Sequence, residues 1–229
     1  MPKISYNKYR SLNMISFCYP LKNRTIFVSN HEGDKILTTP LIDSVRSVIN
    51  SFNSNDEFEI IISDFGSTDT DFAWLKEMNV NHKIVKINHH DGHFSRGLGL
   101  NTAAKHSQGD IIFFIDADML IDSHFIEEAK QILSNENYDL YFPICWSFND
   151  PEHETGWWRY TGHGNVLVNR DYWFDNNLSW WERDCWGKED GDLFNRTSER
   201  AARQNAKGFY HMWHDEEAHL SSVYLEVPS

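Results

Sequence analysis

Apolar positions fall into two patterns along the first two-thirds of the chain. Runs of strand length occur at Met14 to Cys18, Phe58 to Ile62, Lys83 to Ile87, Ile111 to Ile115 and Asp139 to Ile144. Between them the apolar spacing is helical. Leu41, Val45, Val48, Ile49 and Phe52 share one face behind Thr39 and Pro40, Phe72 to Met78 forms a short helix, and Leu98 to His106 follows a Gly-rich loop. Phe125, Ala129, Ile132 and Leu133 make a further face, with Ser123 as the expected cap. Strand and helix in alternation predict an α/β fold with a mostly parallel central sheet, helices on both faces and a single domain. Ligands of such sheets bind outside the carboxyl ends of the strands. That rule selects three loops, Tyr19 to Arg24, Ser63 to Asp69 and His93 to Asn101, together with the end of the fourth strand.

The fourth strand carries the sharpest signal. Five apolar residues, Ile111 to Ile115, run directly into Asp116, Ala117 and Asp118. Two carboxylates at the mouth of a dry strand are costly unless compensated, and a divalent cation is the simplest compensation. Hard ions such as Mn²⁺ or Mg²⁺ take oxygen ligands and often share their remaining sites with a substrate phosphate, which points to a metal-bridged nucleotide. The neighbouring loops supply matching groups. Asp64 can accept the imide N–H of uracil, Arg96 can neutralise a diphosphate, and Asn101 can hydrogen-bond within the site. Taken singly, these residues also read as a turn, a surface cation and a helix residue.

Composition narrows the class. The 229 residues suffice for one large core. The formal charge of -13 repels nucleic acid, and no basic patch is segregated against it. Nothing approaches the about 18 apolar residues of a membrane span, and Met1 to Asn13 has no apolar signal core, so a cytoplasmic protein without a transmembrane segment is expected. Cys18, Cys145 and Cys185 are odd in number and far apart, which argues for plain thiols. Trp157, Trp158, Trp180 and Trp181 read either as packing residues or as a platform for sugar rings.

Three segments carry a family resemblance: Asp64 to Asp69, Arg96 to Asn101, and Asp116 to Asp118. They resemble the nucleotide-sugar half of GT-A glycosyltransferases, particularly family 2 and the chondroitin-polymerase type. Trp186 to Arg196, with His211 to His214 beyond, is similar to the C-terminal region of the β-1,4-galactosyltransferases. The resemblance implies a donor half over residues 14–144 and an acceptor-binding, catalytic half over 145–229. Pro20, Asn23, Arg24, Asp64, Arg96, Asn101, Asp116, Ala117 and Asp118 would contact a UDP-sugar, with Trp186 and Gly187 on a loop that closes over it. Asp118 and His214 would ligate Mn²⁺ (or Mg²⁺), as would His211, which stands where the galactosyltransferases carry a methionine. Asp190 would be the catalytic base and Glu189 its acceptor-binding neighbour, the acceptor being a saccharide or glycolipid. Lys188 and Gly191 depart from the galactosyltransferase pattern.

The chemistry of the residues agrees with these roles. A cation held by Asp118 and His214 would act as Lewis acid on a leaving diphosphate, and a carboxylate at Asp190 would take the acceptor's proton. A single base on the face opposite the leaving group predicts inversion. Glu189 and Asp190 also read as first-turn charges of a helix bearing Leu193, Phe194, Thr197 and Ala201, and His211 with His214 as surface histidines. The glycines and aromatics of Gly156 to Gly164 suit an acceptor-side loop. A sugar nucleotidyltransferase would need a glycine-bearing phosphate loop where Tyr19 to Arg24 has none, and a non-catalytic carbohydrate-binding protein would not need these acids and histidines together.

Overall fold

The structure, a computed structural model, describes residues 12–53, 56–89, 93–183 and 188–215. Its first half comprises β1 (Met14–Leu21), β2 (Phe27–His31), β3 (Asp34–Thr38), α1 (Pro40–Ser51), β4 (Glu57–Asp64), α2 (Ala73–Glu77), β5 (His82–Lys86), α3 (Arg96–His106) and β6 (Ile111–Phe114). The second half comprises β7 (Met119–Ile121), α4 (Ser123–Ser134), β8 (Leu140–Phe148), β9 (Gly156–Trp158), β10 (Val166–Asn169), α5 (Arg170–Asp175), α6 (Glu189–Thr197) and β11 (Ala201–His211).

The main sheet runs β5-β4-β1-β6-β10-β8-β11-β7, with β9 on β8. β5, β4, β1 and β6 pair in parallel; β10 is antiparallel to β6 and to β8, and β11 returns parallel to β8. β6, β8 and β11 therefore point the same way, and their ends arrive at one edge. Alternation along the central strands sorts the core. Ile15, Phe17, Tyr19, Ile60, Ile62, Ile111 and Phe113 face α1 and α4, whereas Cys18, Ile61, Ile112 and Phe114 face α3, α5 and α6. The result is the mixed α/β single domain, with helices on both faces, that the alternation predicts.

Several local expectations change. The helix expected from Leu98 begins at Arg96, so Arg96 to Asn101 is the opening of α3. Its glycines serve close packing: a Cβ on Gly97 would lie 2.2 Å from the Trp181 carbonyl oxygen, and one on Gly99 would lie 2.8 Å from Pro20 Cβ. The cap of α4 is Asp122, whose carboxylate accepts the His124 and Phe125 N–H groups, and Ser123 is the first helical residue. Ala201 opens β11 and does not extend the face of α6. The sequence pattern also misses the β2–β3 hairpin, β7, β9, β10, α5 and β11. For β11 the reason is plain, since Ala-Ala-Arg-Gln-Asn-Ala-Lys-Gly has no apolar alternation and becomes a strand by lying between β8 and β7.

Candidate active site

The converging strand ends border a cleft of about 490 Å³. Asp116 and Asp118 enter it from the turn that follows β6. Ile115 N–H bonds the Cys18 carbonyl and Met212 N–H bonds the Asp118 carbonyl, so this turn is pinned from both sides. β11 pairs His211 with Met119, which brings the end of the chain's last described strand onto the same turn. Asp118 Oδ2 lies 3.3 Å from His214 Nε2 and 3.9 Å from His211 Nε2. One ligand atom from each of the three residues falls within 4.8 Å of the others.

A carboxylate with two imidazoles suits a divalent transition ion such as Mn²⁺ better than all-oxygen Mg²⁺. Second contacts orient both rings. His211 Nδ1 is 3.2 Å from Ser147 Oγ, and His214 Nδ1 is 3.3 Å from the Asp215 carbonyl. A ring whose Nδ1–H donates to such an oxygen presents an Nε2 lone pair. Burial lowers the His211 pKa to about 4 against the pull of Asp118, which leaves its imidazole neutral at neutral pH. Burial would raise Asp118, but the His214 contact, the His211 ring and Arg24 hold it well below the ordinary carboxylate range. Because His211 is neutral, we assign more of that depression to the Arg24 guanidinium, 3.0 Å away.

Arg96 links the two sides of the cleft. Its Nε donates to Asp116 Oδ1 at 2.9 Å, its Nη2 to the Gly164 carbonyl at 2.5 Å, and Nη1 lies 3.7 Å from Glu189 Oε1. The guanidinium carbon sits 5.1 Å from the centre of the buried Trp180 ring. Burial works against the charge of Arg96, yet Asp116 and Glu189 raise its pKa. Asn165 fixes Asp116 in turn, accepting its N–H at 2.8 Å and donating to Oδ2 at 3.3 Å.

α6 begins after Lys188, whose φ of 75° turns the chain sharply. Glu189 and Asp190 line the cleft from this first turn. Asp190 accepts the His163 and Gly191 N–H groups, each at 2.8 Å. Partial burial would raise its pKa, but these donors and Arg96 outweigh it, and the group lies below the usual carboxylate value.

Pro20, Arg24, Arg96, Asp116, Ala117, Asp118, Glu189, Asp190 and His211 all line this one cleft, and His214 closes the histidine cluster at its edge. Three other expected residues are placed elsewhere. Asn23 bridges the first two loops, its N–H on Ser67 Oγ and its Oδ1 accepting Thr68 N–H. Asp64 is fully buried, accepting Ser67 N–H and pairing with Lys86. Asn101 clamps the segment at Trp180 to Glu182: Oδ1 accepts Trp180 N–H, and Nδ2 donates to the Trp180 carbonyl and to Glu182. Trp186, Gly187 and Cys185 lie outside the described residues. Cys18 and Cys145 are buried free thiols. Trp180 is a packing residue, whereas Trp157 and Trp181 are half exposed. Asn165, Arg159 and His163 were not singled out in the sequence. All three sit in or beside the glycine-bearing loop Gly156 to Gly164, the one local signal that could have found them.

The family model "Glycosyl transferase family 2" matches residues 38–214, which includes both acidic motifs and the histidines. The chain belongs to glycosyl transferase family 2. Chondroitin sulfate synthase 3 of Mus musculus is 28% identical over 148 residues, covering 54% of this chain and 16% of that protein. The glycosyltransferase YfnE of Bacillus subtilis is 31% identical over 91 residues, covering 39% and 22%. This family 2 chain thus spans under a third of the length of such relatives. Among solved structures, S. aureus TarS 1-349 in complex with UDP-GlcNAc superposes with a TM-score of 0.66 at 19% identity, covering 93% of this chain and 62% of that one. The mannosyltransferase PcManGT of Pyrobaculum calidifontis, in complex with GDP-Man and Mn²⁺, gives a TM-score of 0.63 at 15% identity, covering 90% and 58%. These likenesses establish the GT-A fold. Among the described residues, no helix is long and apolar enough to cross a membrane.

Proposed function

We propose that this family 2 chain transfers a sugar from a UDP-sugar to a hydroxyl of a saccharide or glycolipid acceptor, with metal dependence and inversion at the anomeric carbon. The observation that carries the reading is the convergence, in the lining of one cleft, of Asp118 with two imidazoles and of Asp190. Family membership favours transfer over nucleotide-sugar synthesis or passive carbohydrate binding.

Asp118, His211 and His214 would hold the ion, and Mn²⁺ is our assignment. When bound there, it supplies Lewis-acid neutralisation of the departing diphosphate. Asp116, fixed by Arg96 and Asn165, faces the ribose side of the donor. Arg24 and Arg96 bring further positive charge to the diphosphate. Asp190, its orientation set by two backbone donors, takes the acceptor's proton as the new C–O bond forms. Glu189 orients the acceptor beside it. The likeness of Trp186 to Arg196 to the β-1,4-galactosyltransferases supports these last two roles. A single base acting on the face opposite the leaving group gives inversion, and residues 14–144 and 145–229 then act as donor and acceptor halves. Asp64 does not face the cleft, so the preference for uridine rests on the resemblance. The chondroitin enzymes among the relatives support a saccharide acceptor.

A panel of nucleotide sugars offered with oligosaccharide acceptors, with and without Mn²⁺, tests the reading. Metal-dependent transfer with inverted product configuration by NMR is expected. Transfer that survives both chelation and Asp118→Ala would remove the metal role.

A further inference from the structure

Arg24 already occupies the charge position that an incoming ion needs. Its Nη2 lies 3.0 Å from Asp118 Oδ2, the same oxygen that faces both His211 and His214. Arg24 and Asp118 are both buried, their side chains 7% and 10% exposed. The rest of Arg24 is arranged for release. Nη1 is buried without a hydrogen-bond partner, and the guanidinium rests 4.8 Å from the centre of the Phe27 ring. The backbone cannot follow the side chain. Thr25 and Ile26 N–H are both held by Asp69 Oδ2, and Leu41 N–H bonds the Arg24 carbonyl. Arg96 offers no such freedom, since it is tied to Asp116, Gly164 and Glu189.

A guanidinium is charged at every working pH, and a divalent ion repels it twice as strongly as a monovalent one would. On one carboxylate oxygen the two cations would stand within about 5 Å of each other, a repulsion that moving the guanidinium relieves. We propose that Arg24 is a placeholder cation: it neutralises Asp118 until a divalent ion enters, is then expelled into the cleft, and completes its hydrogen bonds on the donor diphosphate. The inference rests on the metal reading above. It makes ion and nucleotide binding interdependent. The ion alone must displace Arg24 and binds weakly. With a diphosphate present, the displaced guanidinium gains a new anionic partner, including one for the orphaned Nη1, and both ligands tighten by the same factor.

Calorimetric titration of the full chain with Mn²⁺ alone, and with Mn²⁺ in the presence of UDP, measures that factor. In the wild type, UDP should tighten Mn²⁺ binding by about tenfold or more. Arg24→Gln, which keeps bulk and a hydrogen-bonding end, should bind Mn²⁺ alone about tenfold more tightly and lose most of the coupling to UDP. Arg24→Lys retains the charge and should keep the wild-type order; far-UV circular dichroism confirms that each variant is folded. Equal Mn²⁺ affinity in wild type and Arg24→Gln, with Asp118→Ala abolishing it, overturns the placeholder and leaves the metal reading standing. A lysine variant that mimics the glutamine one also overturns it, because charge would then not matter. Absence of Mn²⁺ binding in all of them overturns both readings.

Discussion

At the scale of residues, Asp118 and Asp190 predict different losses. Asp190→Asn keeps size and removes the proposed base, so kcat should fall by about 10²–10⁴-fold while the donor's KM holds, as initial-rate kinetics would show. Asp118→Ala should act on both parameters and remove Mn²⁺-dependent UDP binding. The pH dependence follows from the depressed pKa of Asp190. A group lowered on folding contributes stability that is present above its unfolded pKa and lost as pH falls through the folded one. Asp190 therefore stays ionised from neutrality down through the ordinary carboxylate range, and no limb of the kcat/KM profile between about pH 5 and 7 belongs to its protonation. A limb in that window that vanishes in Asp190→Asn would contradict this. The acidic pair Asp116 and Asp118 was legible because its cost is local: five apolar residues lead straight into it. The role of Asn165, which holds Asp116 through two hydrogen bonds, was not legible, because the two residues meet only across the β6–β10 pair.

At the scale of elements, glycines and caps decide where the site residues stand. Gly208 has a φ of +78°, lies within the irregular stretch of β11, and accepts Asp122 N–H on its carbonyl. A Cβ there would lie 1.9 Å from Asp122 Oδ1, the oxygen that caps α4. Gly208→Ala should combine backbone strain with loss of the cap, about 2–4 kcal/mol in all, and chemical denaturation should show it. The shift should also reach His211, three residues further along β11. Asn101 makes an analogous claim for α3. Asn101→Leu should cost about 1–3 kcal/mol by stranding the buried Trp180 amide and carbonyl, and should weaken UDP binding because Trp180 backs Arg96. Unchanged nucleotide affinity in a destabilised Asn101→Leu would confine the residue to packing. Most helices and central strands could be read from periodicity. Arg96 and Gly97 read in sequence as the end of a loop yet open α3, because a glycine that permits close approach looks in sequence like one that permits a turn.

At the scale of the molecule, the sheet topology makes the site. Ligand binding that needs the ends of β1, β6 and β11 together should stabilise the domain as a unit. With UDP at about 100 times its dissociation constant for the Mn²⁺-loaded protein, the gain is about 2.7 kcal/mol, a rise in Tm of about 5–10 °C for a domain of this size. Chelation should abolish the shift seen by differential scanning fluorimetry, and Mn²⁺ should restore it better than Mg²⁺, given the two imidazoles. A UDP-induced shift that is indifferent to chelator would separate nucleotide binding from the ion. The alternation of apolar periods determined the α/β class, and the abrupt passage from Ile115 to Asp116 determined where one ligand edge would lie, since both depend on neighbours in the chain. The meeting of His211 and His214 with Asp118 was expected only through the family resemblance, and the tertiary structure alone decided that Arg24 stands against the same oxygen. Those contacts span 93, 96 and 94 residues of sequence, and the mixed pairing that closes them is set by strand direction and long-range packing, which no local pattern encodes.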